Sequence, residues 1–286
     1  VFVLGYVAIA FEHPLKLNKA ASALITGVLC WTIYIMQAET PEAANKELLH
    51  HLGGISSILF FLLGAMTIVE LIDSHAGFDI ITQNITTTNK QQLLIIIAVI
   101  TFFLSALLDN LTTAIVMTSL CSKLLAEKED RLWFAGMIII AANAGGVWSP
   151  LGDVTTTMLW IGGQITALNI MKQLILPSII ACAIPTLVIA RRFKEKKLAP
   201  IHLPARTNKE KREGKIILFA GIGFLIFVPI FKTLTHLPPF MGMLLALGLM
   251  WIITTIIHKN KEQDIADKLT VATALQKIDS PSILFF

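Results

Sequence analysis

The sequence predicts an all-α polytopic membrane protein with an internal repeat, and three observations carry that reading. Hydrophobic residues make up 55% of the 286 and charged residues only 15%, against about 25% charged in an average soluble protein. The apolar residues fall in blocks of roughly 17 to 24, each long enough to cross about 30 Å of hydrocarbon as a helix. The stretch that follows a strongly basic loop resembles the start of the chain.

This composition excludes a soluble enzyme domain and makes the lipid bilayer the first partner. The net charge of +4 is small and concentrated in one loop, so it speaks for topology and not for nucleic acid. Cys30, Cys121 and Cys182 are scattered in or beside apolar runs. They read as small hydrophobes, not as a disulfide or zinc framework.

Taken in order, Val1–Phe11 is a short apolar segment, expected to be the end of a span that begins earlier. Glu12–Lys19 is a polar turn. Ala20–Met36 is a span with Trp31 and Tyr34 near its end, where interfacial anchors sit. Glu39–His51 is expected as a polar connection, with an amphipathic helix as the alternative, and Gly54–Ile72 as the next span. Glu70 and Asp73 lie at its end, three apart and so on one helical face. His13, His50, His51 and His75 fall in loops and are expected at the surface. Asn84–Lys90 is polar and rich in threonine.

Gln91–Leu108 and Leu111–Leu125 are apolar runs on either side of Asp109-Asn110. We expect a re-entrant hairpin with that pair at its tip, because non-helical backbone at membrane depth survives only inside protein or around a wet cavity. Two full spans are the alternative. Arg131–Trp160 is broken by Gly145-Gly146, Ser149-Pro150 and Gly152, which predicts a discontinuous helix. Met171–Ala190 is a span containing Pro177 and Pro185.

Arg191–Lys215 holds ten Lys or Arg against Glu195, Glu210 and Glu213. The positive-inside rule makes this loop cytoplasmic. Beyond it, Phe231, Leu237, Leu244 and Trp251 repeat Phe11, Leu17, Leu24 and Trp31, and Ser282–Phe286 repeats Ser57–Phe61. An odd number of crossings separates the copies, so they are expected to be inverted. The predicted organisation is a first repeat over 1–190, with scaffold spans in 1–73, the hairpin and broken helix in 91–163, and a span at 171–190. The basic loop 191–215 follows, then a second, truncated repeat over 216–286. Its copy of the Asp-Asn stretch is expected roughly fifty residues past Phe286, on the inverted-repeat pattern of secondary transporters.

The chemistry is expected at the two polar breaks. An ionisable group inside an apolar run costs about 2.5–3.5 kcal/mol on insertion scales and marks a functional site by default. Asp109, Asn110, Thr112, Thr113, Asn143, Ser149, Asp153, Thr155, Thr156 and Thr157 all offer oxygen ligands. Oxygen donors suit hard cations. Neither break contains a basic side chain, so the expected charge partner is a bound cation or a proton. A carboxylate in low dielectric holds a proton, or Na⁺ with help from its neighbours, but not both. That competition couples two ions, with Na⁺ expected at Asp109 and Asp153. Glu70 and Asp73 are possible accessory residues.

Plainer roles stand beside these. Threonines bond back to helix carbonyls, Gly145-Gly146 suits a close helix contact, and Asp109 suits a helix cap. Trp148 and Trp160 are expected to pack.

Four stretches, Phe11–Ala20, Gly64–Asp73, Ser105–Thr113 and Asn143–Met158, together resemble the NhaD-type sodium/proton antiporters of the ion-transporter superfamily. The resemblance implies Na⁺ or Li⁺ efflux driven by proton entry, in a bacterial inner membrane or a plastid envelope. It also implies no enzymatic activity and no cofactor, and a possible homo-oligomer. It assigns Asp109, Asn110, Thr112, Thr113 and Asp153 to the ion site. An arsenite or anion carrier of the same superfamily is the nearest alternative, but an anion site favours helix N-termini and neutral or basic donors. An intramembrane aspartyl protease is remote, because position 150 is Pro where that motif has Gly.

Overall fold

The computed structural model describes residues 1–38, 40–80, 87–194, 196, 207–259 and 269–278. Among these residues the chain forms twelve helices. Glu195 and residues 197–206 of the basic loop, Asn84–Thr86 and the Ser282–Phe286 copy lie outside the described residues.

The first helices are α1 (Phe2–Ala10), α2 (Glu12–Leu15) and α3 (Lys19–Gln37). Asn18 starts α3, its side chain accepting from Ala20 N–H. Helix α4 (Pro41–Ser74) is one element of 34 residues. From Pro41 on, the polar connection is helical, and it is continuous with the span expected over Gly54–Ile72 where the two were expected apart. Thr40 caps the helix and Pro41 occupies its first turn, a strong start signal. No stop signal follows, and Gly53-Gly54 does not end the helix. At about 1.5 Å per residue α4 is ~51 Å long, far more than ~30 Å of hydrocarbon. The polar connection is therefore its projecting first half.

Next come α5 (Lys90–Ser105), α6 (Asn110–Leu124), α7 (Lys128–Val147), α8 (Val154–Ile161) and α9 (Ala167–Arg192). The last group is α10 (Asn208–Thr235), α11 (Pro239–His258) and α12 (Val271–Lys277). Five helices, α3, α4, α9, α10 and α11, are long and apolar enough to cross a membrane. Helix α9 turns Leu176, Ile180, Ile184 and Leu187 outward, all exposed, a face that only lipid solvates favourably. The chain is an integral membrane protein.

Side-chain bonds fix the helix directions. Lys90 at the start of α5 pairs with Glu127 and Asp130 at the start of α7. Ser105 at the end of α5 donates to Ala142 O near the end of α7, at 2.6 Å. These two helices run parallel. Helix α6 runs against both. Asn110 at its start donates to Asn143 Oδ1 at 2.9 Å, and the carbonyl of Leu125, just past its end, accepts from Arg131 Nε at 2.6 Å. So α5 and α6 fold back on each other, with Ala106–Asp109 at the closed end. Helix α9 returns to the open end, where Arg192 pairs with Glu129 and Lys90 N–H donates to Lys196 O at 3.0 Å.

In the other group α4 and α11 run parallel. Gly64 faces Met243, and His75 Nε2 meets His258 Nε2 at 2.9 Å. Helix α10 opposes α4, with Gly214 against the His75 carbonyl and Gly221 against Ile72 and Ile68. Helices α5, α6, α7 and α9 pack on one another, and α4, α10, α11 and α12 do the same; α8 touches α4 across the divide.

His75 corrects the expectation of a surface histidine. It is 7% exposed and His258 is 8% exposed. Its Nδ1 lies 2.7 Å from Leu71 O, a pure acceptor, so Nδ1 carries the proton, and Nε2 shares a hydrogen bond with His258. The turn after α4 folds His75 inward, a placement that a polar His-Ala-Gly loop does not signal.

Candidate functional site

The two polar breaks meet. The end of α5 and the turn after it, Ser105-Ala106, lie against Gly146–Gly152. Ser105 is fully buried and Ser149 is 5% exposed, and Ser149 Oγ donates to Ala106 O. Glycine is what lets the backbones approach. A Cβ on Gly145 would overlap the Phe102 carbonyl, and one on Gly152 would overlap the Ser105 carbonyl. The close-contact role of Gly145 and the polar site are therefore one arrangement.

Asp109 is the N-cap of α6. Its carboxylate accepts from Thr112 N–H at 2.9 Å and from the Thr112 hydroxyl. Asp153 caps α8 in the same way and accepts from Thr155 N–H at 3.4 Å. Both aspartates are half-buried. Each carboxylate thus sits at the positive end of its own helix. The expectation that its charge partner comes only from a bound ion is incomplete on this point.

The threonines divide. Thr156 Oγ1 donates to Ser149 O and Asp153 O, both at 2.9 Å, and Thr157 Oγ1 donates to Pro150 O at 2.8 Å. These hydroxyls take carbonyls that the break frees from the helix ladder. Thr155 is exposed. Thr113 is fully buried, and its hydroxyl has no hydrogen-bond partner among the described residues. Asn143 is exposed; it donates to Ile139 O at 2.9 Å and accepts from Asn110.

A cavity of about 290 Å³ borders Asp109 and Asn110. Phe61, Met66 and Val69 of α4, Leu225 of α10 and Met243 of α11 form one wall, and Val154 and Thr157 of α8 belong to the other. It lies between the two helix groups. Lys19, at the start of α3, also borders it. Sequence reasoning passed over Lys19, because it lies in a polar turn outside both breaks. Trp148 stacks on Phe102 at 6.1 Å, a packing role, although its Nε1 lacks a partner among the described residues. Glu70 is not brought to the cavity. It pairs with Lys277 of α12 at 2.9 Å and accepts from Ser74. Asp73 does not line the cavity either. Among the described residues no three His, Cys, Asp or Glu side chains cluster, so the donors here are hydroxyl, amide and carboxylate oxygens.

Comparison with known proteins bears on what this arrangement serves. The chain is 46% identical over its whole length to Sodium/proton antiporter 1 of Arabidopsis thaliana and covers 50% of that protein. It is 43% identical to Sodium/proton antiporter 2 of the same plant, again over its whole length, and covers 68% of it. Identity to the Na⁺/H⁺ antiporter NhaD of Vibrio cholerae is 30% over 96% of this chain and 58% of the relative. The chain therefore spans about half to two thirds of the length of these relatives. The relatives it resembles are named as sodium/proton antiporters, NhaD among them, and with residues 6–286 matched the chain belongs to the citrate transporter (CitMHS) family.

Proposed function

We propose that the protein acts in a carrier that exchanges Na⁺, or Li⁺, for H⁺ by alternating access. The observation that carries this reading is the meeting of the two breaks. Asn110 bonds Asn143 and Ser149 bonds the Ala106 carbonyl, and Asp109, Asn110 and Thr157 border a cavity between the packed helices, with Asp153 next in the chain to its lining residue Val154. A cation entering there finds carboxylate, hydroxyl and amide oxygens, the ligand set of a hard ion. A proton on the same carboxylate displaces it. The hydroxyl of Thr113, without a partner among the described residues, adds a donor oxygen. Asp109, Asn110, Thr112, Thr113, Asn143, Ser149, Asp153, Thr155 and Thr156 form the proposed site, with Glu70 and Asp73 outside it.

Helix directions support the inverted repeat. Helix α3 covers the stretch that α11 repeats. Tyr34 bonds Glu47 at 2.5 Å and Trp31 touches His51, so α3 opposes α4. Helix α11 runs with α4, so the two copies point in opposite directions. The α5–α6 fold supports a re-entrant hairpin, because both of its open ends lie beside the basic end of α9. Loop 191–215 is proposed to face the cytoplasm of a bacterium, or the corresponding side of a plastid envelope.

The family's name raises citrate as the rival cargo. Two helix N-termini at one site would suit an anion, but here each is already met by an aspartate. Everted vesicles carrying the full-length protein test the reading. Na⁺ added to a preformed pH gradient is expected to dissipate it. A response to citrate and none to Na⁺ sinks the proposal.

A further inference from the structure

The contact of Phe61, Trp160 and Lys232 has a geometry that a structural cap does not need. Trp160 is 2% exposed and lies near the end of α8. Lys232 reaches it from α10, its Nζ 4.5 Å from the ring centroid and donating to Trp160 O at 3.1 Å. Phe61 of α4 meets the same ring edge-on at 6.3 Å. The Trp160 carbonyl already accepts from Gly163 N–H at 3.2 Å. The lysine is therefore not required to satisfy an orphan helix end. It adds a second bond and a cation–π contact, worth more in a dry setting than in water.

The stack ties α8 to α4 and α10 at a telling place. Phe61 lines the Asp109 cavity, with Trp160 packed behind it. The contact lies toward the end of α10, opposite the basic end of α9. Helix α8 is a rod of 8 residues with Asp153 as its N-cap, so a shift at the polar break moves Trp160 at the far end.

We propose that Phe61, Trp160 and Lys232 form the gate that closes the Asp109 cavity on the side away from the basic loop, with Lys232 as its positioning residue. The inference rests on reading that cavity as the transport site. In the form described here the gate is shut. Opening breaks the cation–π contact and the lysine bond together, so losing either shifts the population toward the outward-open form.

The test uses full-length protein with its native cysteines replaced by alanine and one reporter, Met66→Cys, in the cavity wall. A membrane-impermeant maleimide is applied to vesicles of each orientation. The reporter is expected to label several-fold faster from the basic-loop face. Adding Lys232→Met is expected to raise labelling from the opposite face several-fold, and Lys232→Arg is expected to keep the original ratio. If Lys232→Met fails to reach the membrane, Trp160→Leu supplies the same reading. An unchanged ratio overturns the gate, even where the melting temperature drops, because Lys232 is then only a brace. Faster labelling of the starting protein from the outer face also overturns it. Labelling needs no Na⁺-driven proton movement, so failure of the exchange reading shows in the flux assay and leaves this result intact.

Discussion

Ser149 donates its hydroxyl to the carbonyl of Ala106, and the same Oγ accepts from Leu151 N–H at 3.1 Å. One small side chain thus fastens the break after α7 to the turn after α5. In Ser149→Ala the buried Ala106 carbonyl loses this donor, at a cost of about 1–3 kcal/mol. The expected result is a lower melting temperature in detergent and a higher apparent KM for Na⁺ in vesicles. Ser149→Thr keeps the hydroxyl and should recover most of both. An Ala variant as stable as the parent would show that the bond does not hold the breaks together.

Asp109 has two roles that substitution separates. Asparagine caps a helix about as well as aspartate, whereas alanine costs about 0.5–2 kcal/mol. Asp109→Asn is expected to abolish Na⁺-driven dissipation of the pH gradient at nearly unchanged stability. Asp109→Ala should lose both. Asp153, the cap of α8, is expected to behave the same way. Full exchange by the Asn variants leaves these residues as caps alone.

The site was legible in the sequence where a residue contradicts its surroundings. Asp109 stands out in an uncharged run, and Gly145–Gly152 breaks an apolar helix. Both features depend only on neighbours in the chain. Long-range pairing leaves no such mark. Lys232 and Trp160 are 72 residues apart, and His75 and His258 are 183 apart. Each is ordinary in its own context. The continuity of α4 was hidden for another reason. A polar first half and an apolar second half share one backbone, and hydropathy reports the solvent, not the helix.

Gly145 tests how tightly the hairpin must pack. A methyl there overlaps the Phe102 backbone, and backbone cannot swing aside as a side chain does. Gly145→Ala is expected to cost about 1–3 kcal/mol or more as over-packing and to lower exchange with stability. Gly27 on α3 has nothing within 4 Å of an added Cβ. Gly27→Ala should instead stabilise by about 0.5–1 kcal/mol through helix propensity. Thermal unfolding of the pair in one detergent checks both signs. Equal effects would mean that α5 and α7 are not in backbone contact.

The open end of the hairpin is held by charge. Lys90 is 8% exposed and Asp130 is 4% exposed; their Nζ–Oδ2 distance is 2.5 Å, with Glu127 at 3.0 Å. A lysine in the first turn of α5 opposes the helix dipole, so the position is tolerable only because the carboxylates meet it. Lys90→Met leaves Asp130 buried without its partner, a loss of about 3–5 kcal/mol. Replacing both, Lys90→Met with Asp130→Leu, removes the stranded charge and should restore most of the stability. The measurement is a double-mutant cycle on detergent unfolding, with Na⁺ exchange read alongside. If the pair serves only to neutralise charge, the double variant should also regain exchange. If its bond sets the hairpin's position against α7, stability should return while the KM for Na⁺ stays raised. Additive losses in the cycle would show that the two residues do not interact in the folded protein.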